Sequence, residues 1–401
     1  MSPRKELIAA GVLAVLGLMA GALTSRPEAM AAALALCAGA AALGAYRSSR
    51  AEAASRAATR VDSTTGLPNG RQLRDDVTAF LAGRLGEERR MLLIFDLVGF
   101  KKYNDSFGFA CGDALLRRLA RKLTVAVSDE CAVYRLRGGQ FAVVTGHSDT
   151  AGIRTAAADA LFEIGEGFMI RCAQGSVSLP GQAIDVSEAL KLADQQVQAE
   201  RATLRSQGVD DSSIGAPQLT APKANASPHD VTDLAVAVGQ CLGLAGDELD
   251  HLEMAAALRD VGMMSVPDSV VGSPRRLRDE DWRFIQLHTL VGERLLRSNL
   301  GMDAVATVVR SSHERWDGGG YPDGTAGESI PLPARIVFVC TAFQDMTTQR
   351  PHRPALTARQ ALAELERCSG TQFDPAVVAA FVGVFTDRLE DSDDAVRFGV
   401  A

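Results

Sequence analysis

Residues 310–324, RSSHERWDGGGYPDG, constrain the fold of this chain more than any other stretch. An imidazole and a carboxyl (His313, Glu314) lead into Trp316 and Asp317, followed by three consecutive glycines and Tyr321-Pro322. Each glycine costs about 0.5–1 kcal/mol inside a helix or strand, and Pro322 removes a backbone donor. The run is therefore a shaped loop that follows a helix. It is not a solvated spacer, because Trp316 and Tyr321 carry large rings that gain from burial.

At 401 residues the chain predicts two or three domains of roughly 100–200 residues each. A hydrophobic fraction of 47% with only 5% aromatic makes Ala, Leu and Val the core material. A net charge of −7 argues against a nucleic-acid partner. The cysteines at 37, 111, 131, 172, 241, 340 and 368 have no disulfide or metal spacing, which suits small core residues in a reducing compartment.

Residues 7–23 are uncharged and apolar, and after a short break so are residues 29–46. Each run with its flanks approaches the ~20 residues of a spanning helix. Arg4 and Lys5 precede the first, and Arg47, Arg50, Arg56 and Arg60 follow the second. The positive-inside rule then predicts a hairpin of two transmembrane helices over 1–47, in the inner (cytoplasmic) membrane, two-pass, with everything after it facing the cytoplasm. A cleaved signal peptide before an Ala-rich helix is the alternative, disfavoured by the second apolar run. Residues 48–61 read as a connecting helix.

From 62 the pattern becomes α/β. A turn-rich opening (DSTTGLPNGR, 62–71) precedes an amphipathic helix. A buried apolar strand (91–95) then ends in Asp96, and a helix follows with Leu115, Leu116, Leu119 and Leu123 on one face. Residues 134–144 predict a hairpin turning at Gly138-Gly139. A carboxylate at the end of a buried strand, facing a glycine hairpin, suits a metal and a triphosphate.

Residues 62–205 resemble the GGDEF diguanylate cyclase family, with an α/β, nucleotidyl cyclase-like fold. Asp62 to Asn69 match the family's opening, and Asp96 its first metal carboxylate. Asn104 and Asp113 match its guanine-reading residues, and Lys191 with Ala193-Asp194 falls where its C-terminal helix begins. Where the family has Gly-Gly-Asp-Glu-Phe, this chain has Gly138-Gly139-Gln140-Phe141 after Arg137, with no carboxylate. Joining two GTP molecules needs Mg²⁺ held by acidic oxygens, so the resemblance implies a degenerate cyclase with a vestigial metal residue at Asp96. The arginine and aspartate of the family's product-inhibition motif fall on Ser128 and Cys131.

Residues 206–226 are rich in Ser, Ala, Pro, Gly and Asp and predict a linker. Beyond it, helical spacing recurs over 231–244, 249–258, 279–296, 304–311, 336–344, 357–366 and 375–385, predicting an all-α domain over 227–401.

With its loop at 313–322, this part resembles the HD-GYP family of metal-dependent phosphodiesterases that open cyclic di-GMP, over about 227–386. Asp260-Val261-Gly262, His288 with Gly292, Arg335-Ile336 and Arg350-Pro351-His352-Arg353 carry the likeness. In that family, His and Asp side chains from separate helices hold two or three metals that activate a water. Asp260, His288 and His313 keep such positions as vestigial metal candidates. Others fall on Ser227, Arg259, Ser312 and Thr341, and the family's phosphate-contacting lysine falls on Met263. A guanidinium and a divalent ion ~4 Å apart repel by roughly 8 kcal/mol at an effective dielectric of ~20.

The expectation is therefore a multidomain, membrane-anchored regulatory protein of the cyclic di-GMP signalling type, with two degenerate domains. It acts by binding cyclic di-GMP or GTP, with Asn104, Asp113, Lys191, Arg259 and Tyr321 as the nucleotide-binding candidates, or by binding a partner protein or a second copy. No catalytic residue and no cofactor is assigned. The alternative is a phosphodiesterase with a reduced site, one divalent metal (Fe, Mn, Zn or Mg) held by Asp260, His288 and His313, three protein ligands sufficing for an open catalytic site.

Overall fold

The computed structural model describes residues 60–83, 89–127, 129–146, 149–207, 230–273, 276–349 and 354–391. Among them no helix is long and apolar enough to cross a membrane. This corrects the expected fold class and inner-membrane placement: the architecture is α/β and all-α, with no spanning helix among the described residues. Residues 1–47, on which the membrane hairpin was expected, lie outside them, as do 48–59 of the connecting helix, 208–226 of the linker and 227–229 beyond it.

The chain divides into two compact units, residues 1–85 with 134–136, and residues 86–133 with 137–401. In the first, α1 (Gly70–Ala82) starts at Asn69, whose side chain accepts from the backbone N–H groups of Arg71 and Gln72. Such a cap contributes about 1 kcal/mol. Asp62 accepts from the backbone and hydroxyl of Thr65, which shapes the preceding turn. The Tyr134 hydroxyl donates to Asp76 at 2.8 Å.

The second unit begins with β1 (Arg90–Val98), α2 (Phe100–Phe107) and α3 (Phe109–Ala126). Along the chain then come β2 (Ala132–Arg135), whose last two residues are counted in the first unit, β3 (Gln140–Thr145), α4 (Thr150–Ala160), β4 (Glu163–Gly165), β5 (Phe168–Leu179) and α5 (Val186–Ser206). The five-stranded sheet has the order β2-β3-β1-β5-β4. β1 lies antiparallel to both β3 and β5, and Leu92 to Val98 are all buried, so both of its faces are covered. That position explains its unbroken apolar run, since a strand without a wet face has no need to alternate. Leu115, Leu116, Leu119 and Leu123 of α3 are buried as their spacing predicts.

The helices that follow are α6 (Val231–Cys241), α7 (Asp247–Leu258), a 3-10 turn (Val261–Ser265), α8 (Asp268–Val271), α9 (Asp279–Gln286) and α10 (His288–Arg297). After them come α11 (Asp303–Ser311), α12 (Leu332–Thr347), α13 (Ala358–Arg367) and α14 (Pro375–Asp391). The helix expected over 279–296 is two, meeting at Leu287. Phe343 of α12 packs on Phe381 and Phe385 of α14, with ring centroids 5.0 and 4.8 Å apart. Of the cysteines, Cys111 and Cys340 are core residues as expected, whereas Cys241 is exposed.

Helices and sheet meet within this unit through polar contacts. The Tyr103 hydroxyl donates to the Ser265 carbonyl at 2.7 Å, and the Gly167 N–H donates to the Met264 carbonyl. Arg118 of α3 is buried between Asp281 of α9 (2.9 Å), Ser269 of α8 (2.9 Å) and Glu163 of β4 (3.5 Å).

Candidate functional site

Four segments converge on one cleft. Arg259 ends α7, and Asp260 leads into the 3-10 turn. That turn approaches α10 closely: a Cβ on Gly262 would fall 1.9 Å from the His288 carbonyl oxygen, so only glycine brings Asp260 and His288 together this way. His288, 2% exposed, opens α10 with its Nδ1 2.7 Å from the Ile285 carbonyl. A carbonyl only accepts, so Nδ1 carries the proton and Nε2 keeps a lone pair. That Nε2 is buried without a hydrogen bond.

The loop after α11 delivers His313 and Tyr321. Glu314, 2% exposed, accepts from the N–H groups of Asp323 (2.7 Å) and Thr325 (3.0 Å), folding the loop onto itself. Trp316 and Asp317 donate backbone N–H groups to the carbonyls of Gln372 and Thr371, and Arg335 lies over the Trp316 ring at 5.7 Å. A Cβ on Gly320 would fall 2.3 Å from the Arg315 nitrogen, so the turn needs a glycine there. The His313 ring stands edge-on to His288 at 4.9 Å and stacks on Tyr321 at 5.0 Å.

These side chains line a cavity of about 920 Å³, together with Thr341 and Asp345 of α12 and Trp282 of α9. Arg259 sits within it. Its Nε is 3.3 Å from an Asp260 oxygen, its Nη1 donates to the Ala256 carbonyl at 2.7 Å, and its Nη2 donates to Gln344 at 3.2 Å. Burial pushes both histidines below their ordinary pKa, His313 to about 4, with His288 and Arg259 adding to that depression. Burial also raises the Tyr321 phenol, helped by the charges of Asp260 and Asp345.

Asp260, His288 and His313 thus share one cavity. Among the described residues, however, no three His, Cys, Asp or Glu side chains form a group able to hold a metal ion. Asp260 faces a guanidinium, the Ser312 hydroxyl donates to the Val309 carbonyl, and the Thr341 Oγ1 is buried without a hydrogen bond. This donor set does not fit a bridged pair of metals. Ser227 lies outside the described residues. Sequence reasoning did not single out Gln344, which orients Arg259, or Asp345. The signal for Asp345 was present, because it follows Thr341 by one helical turn and shares its face.

In the α/β part, Asp96 lies within β1 opposite Gln140 of β3 and pairs with Arg201 of α5. The Asn104 Oδ1 is buried without a hydrogen bond, and a Cβ on Gly112 would fall 1.7 Å from it. Asp113 is half-buried on the next helix, whereas Lys191 is exposed on α5.

Residues 59–207 match the family model described as diguanylate cyclase, GGDEF domain, and residues 187–377 match the one described as HD domain. The chain is 40% identical over 147 residues to the cyclic di-GMP phosphodiesterase response regulator RpfG of Xanthomonas campestris, covering 36% of this chain and 39% of that protein. It is 33% identical over 169 residues to a cyclic di-GMP phosphodiesterase of Thermotoga maritima, covering 40% and 46%. It is also 34% identical over 138 residues to a 3'3'-cGAMP-specific phosphodiesterase 2 of Vibrio cholerae, covering 34% and 26%. The chain therefore spans less than half the length of each of these relatives.

Proposed function

We propose that this chain, which carries a GGDEF domain and an HD domain, is a regulatory protein of cyclic di-GMP signalling that holds a cyclic dinucleotide in the cavity around Arg259 without opening it. The observation that carries this reading is the Arg259 guanidinium, set inside the cavity and paired with Asp260. Metal-assisted hydrolysis needs a cluster of anionic and imidazole ligands, and a fixed positive charge opposes one there. The same guanidinium suits a phosphodiester, because its planar fork offers paired donors to phosphate oxygens. The buried Nε2 of His288 and Oγ1 of Thr341 are further polar atoms for a ligand to satisfy. The volume falls in the ~300–1,000 Å³ range of small-molecule sites.

The test combines titration calorimetry of the full chain with cyclic di-GMP, elemental analysis, and chromatography of the nucleotide after incubation with Fe²⁺ or Mn²⁺. The expected outcome is binding without a linear product. The phosphodiesterase alternative is established instead if iron, manganese or zinc copurifies in equimolar amount and product forms at a rate that His313→Ala abolishes.

A further inference from the structure

Trp282 is 51% exposed although it lines the cavity, an unusual state for the largest apolar side chain. The other aromatic rings of the cavity are already engaged. Tyr321 stacks on His313, and Phe338 packs against Phe373 at 5.2 Å and His313 at 6.0 Å. The cavity lining also includes the apolar side chains of Val271, itself 58% exposed, and Leu277. The cavity lining therefore combines polar groups at Arg259, Asp260 and His288 with exposed apolar side chains at Trp282 and Val271.

The helix that carries the ring is fixed on both sides of it. Asp281 is held by the buried Arg118 at 2.9 Å, and Phe284 is 2% exposed. A ring carried on a rigidly held helix leaves only its own side-chain torsions to be fixed when a ligand settles on it, which lowers the cost of the contact. A cyclic dinucleotide carries its phosphates in the ring and projects its bases outward. With a phosphate on Arg259, a base projects toward the rest of the cavity lining, which includes Trp282.

From this arrangement, and resting on the cyclic dinucleotide reading above, we infer that Trp282 is the stacking platform for a purine base of the ligand. Stacking on an aromatic face is insensitive to which purine is present. Trp282 thus supplies affinity for guanine and adenine alike and does not choose between cyclic di-GMP and 3'3'-cGAMP.

The chain has two tryptophans, and the other, Trp316, lies beneath Arg335 and does not line the cavity, so Trp282 fluorescence can be isolated. Titrating the full chain with cyclic di-GMP is expected to quench tryptophan emission. Trp282→Ala is expected to weaken binding of both cyclic di-GMP and 3'3'-cGAMP about tenfold. Trp282→Phe keeps a ring, so affinity is expected to stay within about twofold while the quench disappears. The inference is overturned if calorimetry finds unchanged affinity in Trp282→Ala while Arg259→Ala loses binding; the cyclic dinucleotide reading then stands without it. If the unmodified chain binds neither nucleotide, that reading fails and this inference with it.

Discussion

Arg201 donates from Nη1 to the Asp96 carboxylate at 2.5 Å, and the carboxylate side chain is only 9% exposed. The acid best placed to hold Mg²⁺ in the α/β part is therefore engaged by a cation, and its neighbour across the ladder is Gln140. The full chain is expected to form no cyclic di-GMP from GTP and Mg²⁺, measured by chromatography. Arg201→Ala is expected to leave that result unchanged, since freeing a single carboxylate does not build a metal cage. Product made by the unmodified chain and lost in Asp96→Ala would overturn this account.

That pairing was invisible in the sequence, where the two residues stand 105 positions apart with no periodicity linking them. What was legible is local. The apolar run of β1 announced a buried strand, Gly138-Gly139 a hairpin, and residues 310–324 a folded loop. The break at Leu287 was missed because apolar spacing continues across it, through Phe284, His288, Val291 and Leu295. Of the site, the identities of Arg259, Asp260, His288 and His313 could be read one by one. Their convergence depends on how closely Gly262 lets one turn approach another helix, a tertiary distance that no local pattern encodes.

Arg118 joins α3, β4 and α9 across 163 positions of sequence. Its removal leaves Asp281, 5% exposed, as a buried charge with a reduced shell, while Glu163 retains Lys122 at 3.1 Å. Breaking one side of a buried pair costs about 3–5 kcal/mol. Arg118→Ala should therefore lower the urea midpoint by that equivalent. Arg118→Ala combined with Asp281→Ala should recover part of the loss, and a double mutant as unstable as the sum of the singles would argue against the coupling.

Glu314 accepts two backbone N–H groups with a buried carboxylate. Glu314→Gln places an amide donor against one of those donors and forfeits a charge-assisted bond, a loss of about 1.5–3 kcal/mol. Equilibrium unfolding should show that loss, and amide exchange at Asp323 and Thr325 should accelerate. Unchanged protection at both amides would mean that the loop keeps its shape by other contacts.

His313 is held down to a pKa of about 4 and His288 is also lowered, both chiefly by burial. An unfolded histidine titrates near 6.5. Between those values the unfolded chain binds protons that the folded chain does not, so stability rises with pH across the window and is lost as pH falls from about 6.5 toward 4. Thermal melts of the full chain should show a falling midpoint over that range. His313→Gln should flatten the slope there, and an equally steep slope in the variant would assign the acid sensitivity elsewhere.

Arg259 allows the sharpest test of the cavity, because its guanidinium has two roles that different variants separate. It lies 3.3 Å from Asp260, and its charge helps depress His313. Arg259→Ala is expected to weaken cyclic di-GMP binding by tenfold or more, as loss of a charged hydrogen bond worth about 1.5–3 kcal/mol implies. Arg259→Lys keeps the charge and loses the planar fork, so it should recover only part of that affinity. Neither variant should hydrolyse the nucleotide, since neither adds a metal ligand. Arg259→His together with Ser312→His and Thr341→Asp does add them, two of these positions lining the cavity and Ser312 adjoining His313. That combination should bind Mn²⁺ or Fe²⁺ where each single change does not, because a bridged pair of ions is not retained by part of its ligand set. Stoichiometric metal in the Arg259→Ala variant, which removes the charge without adding a ligand, would show that the guanidinium, and not the missing ligands, keeps the unmodified site from being a metal centre.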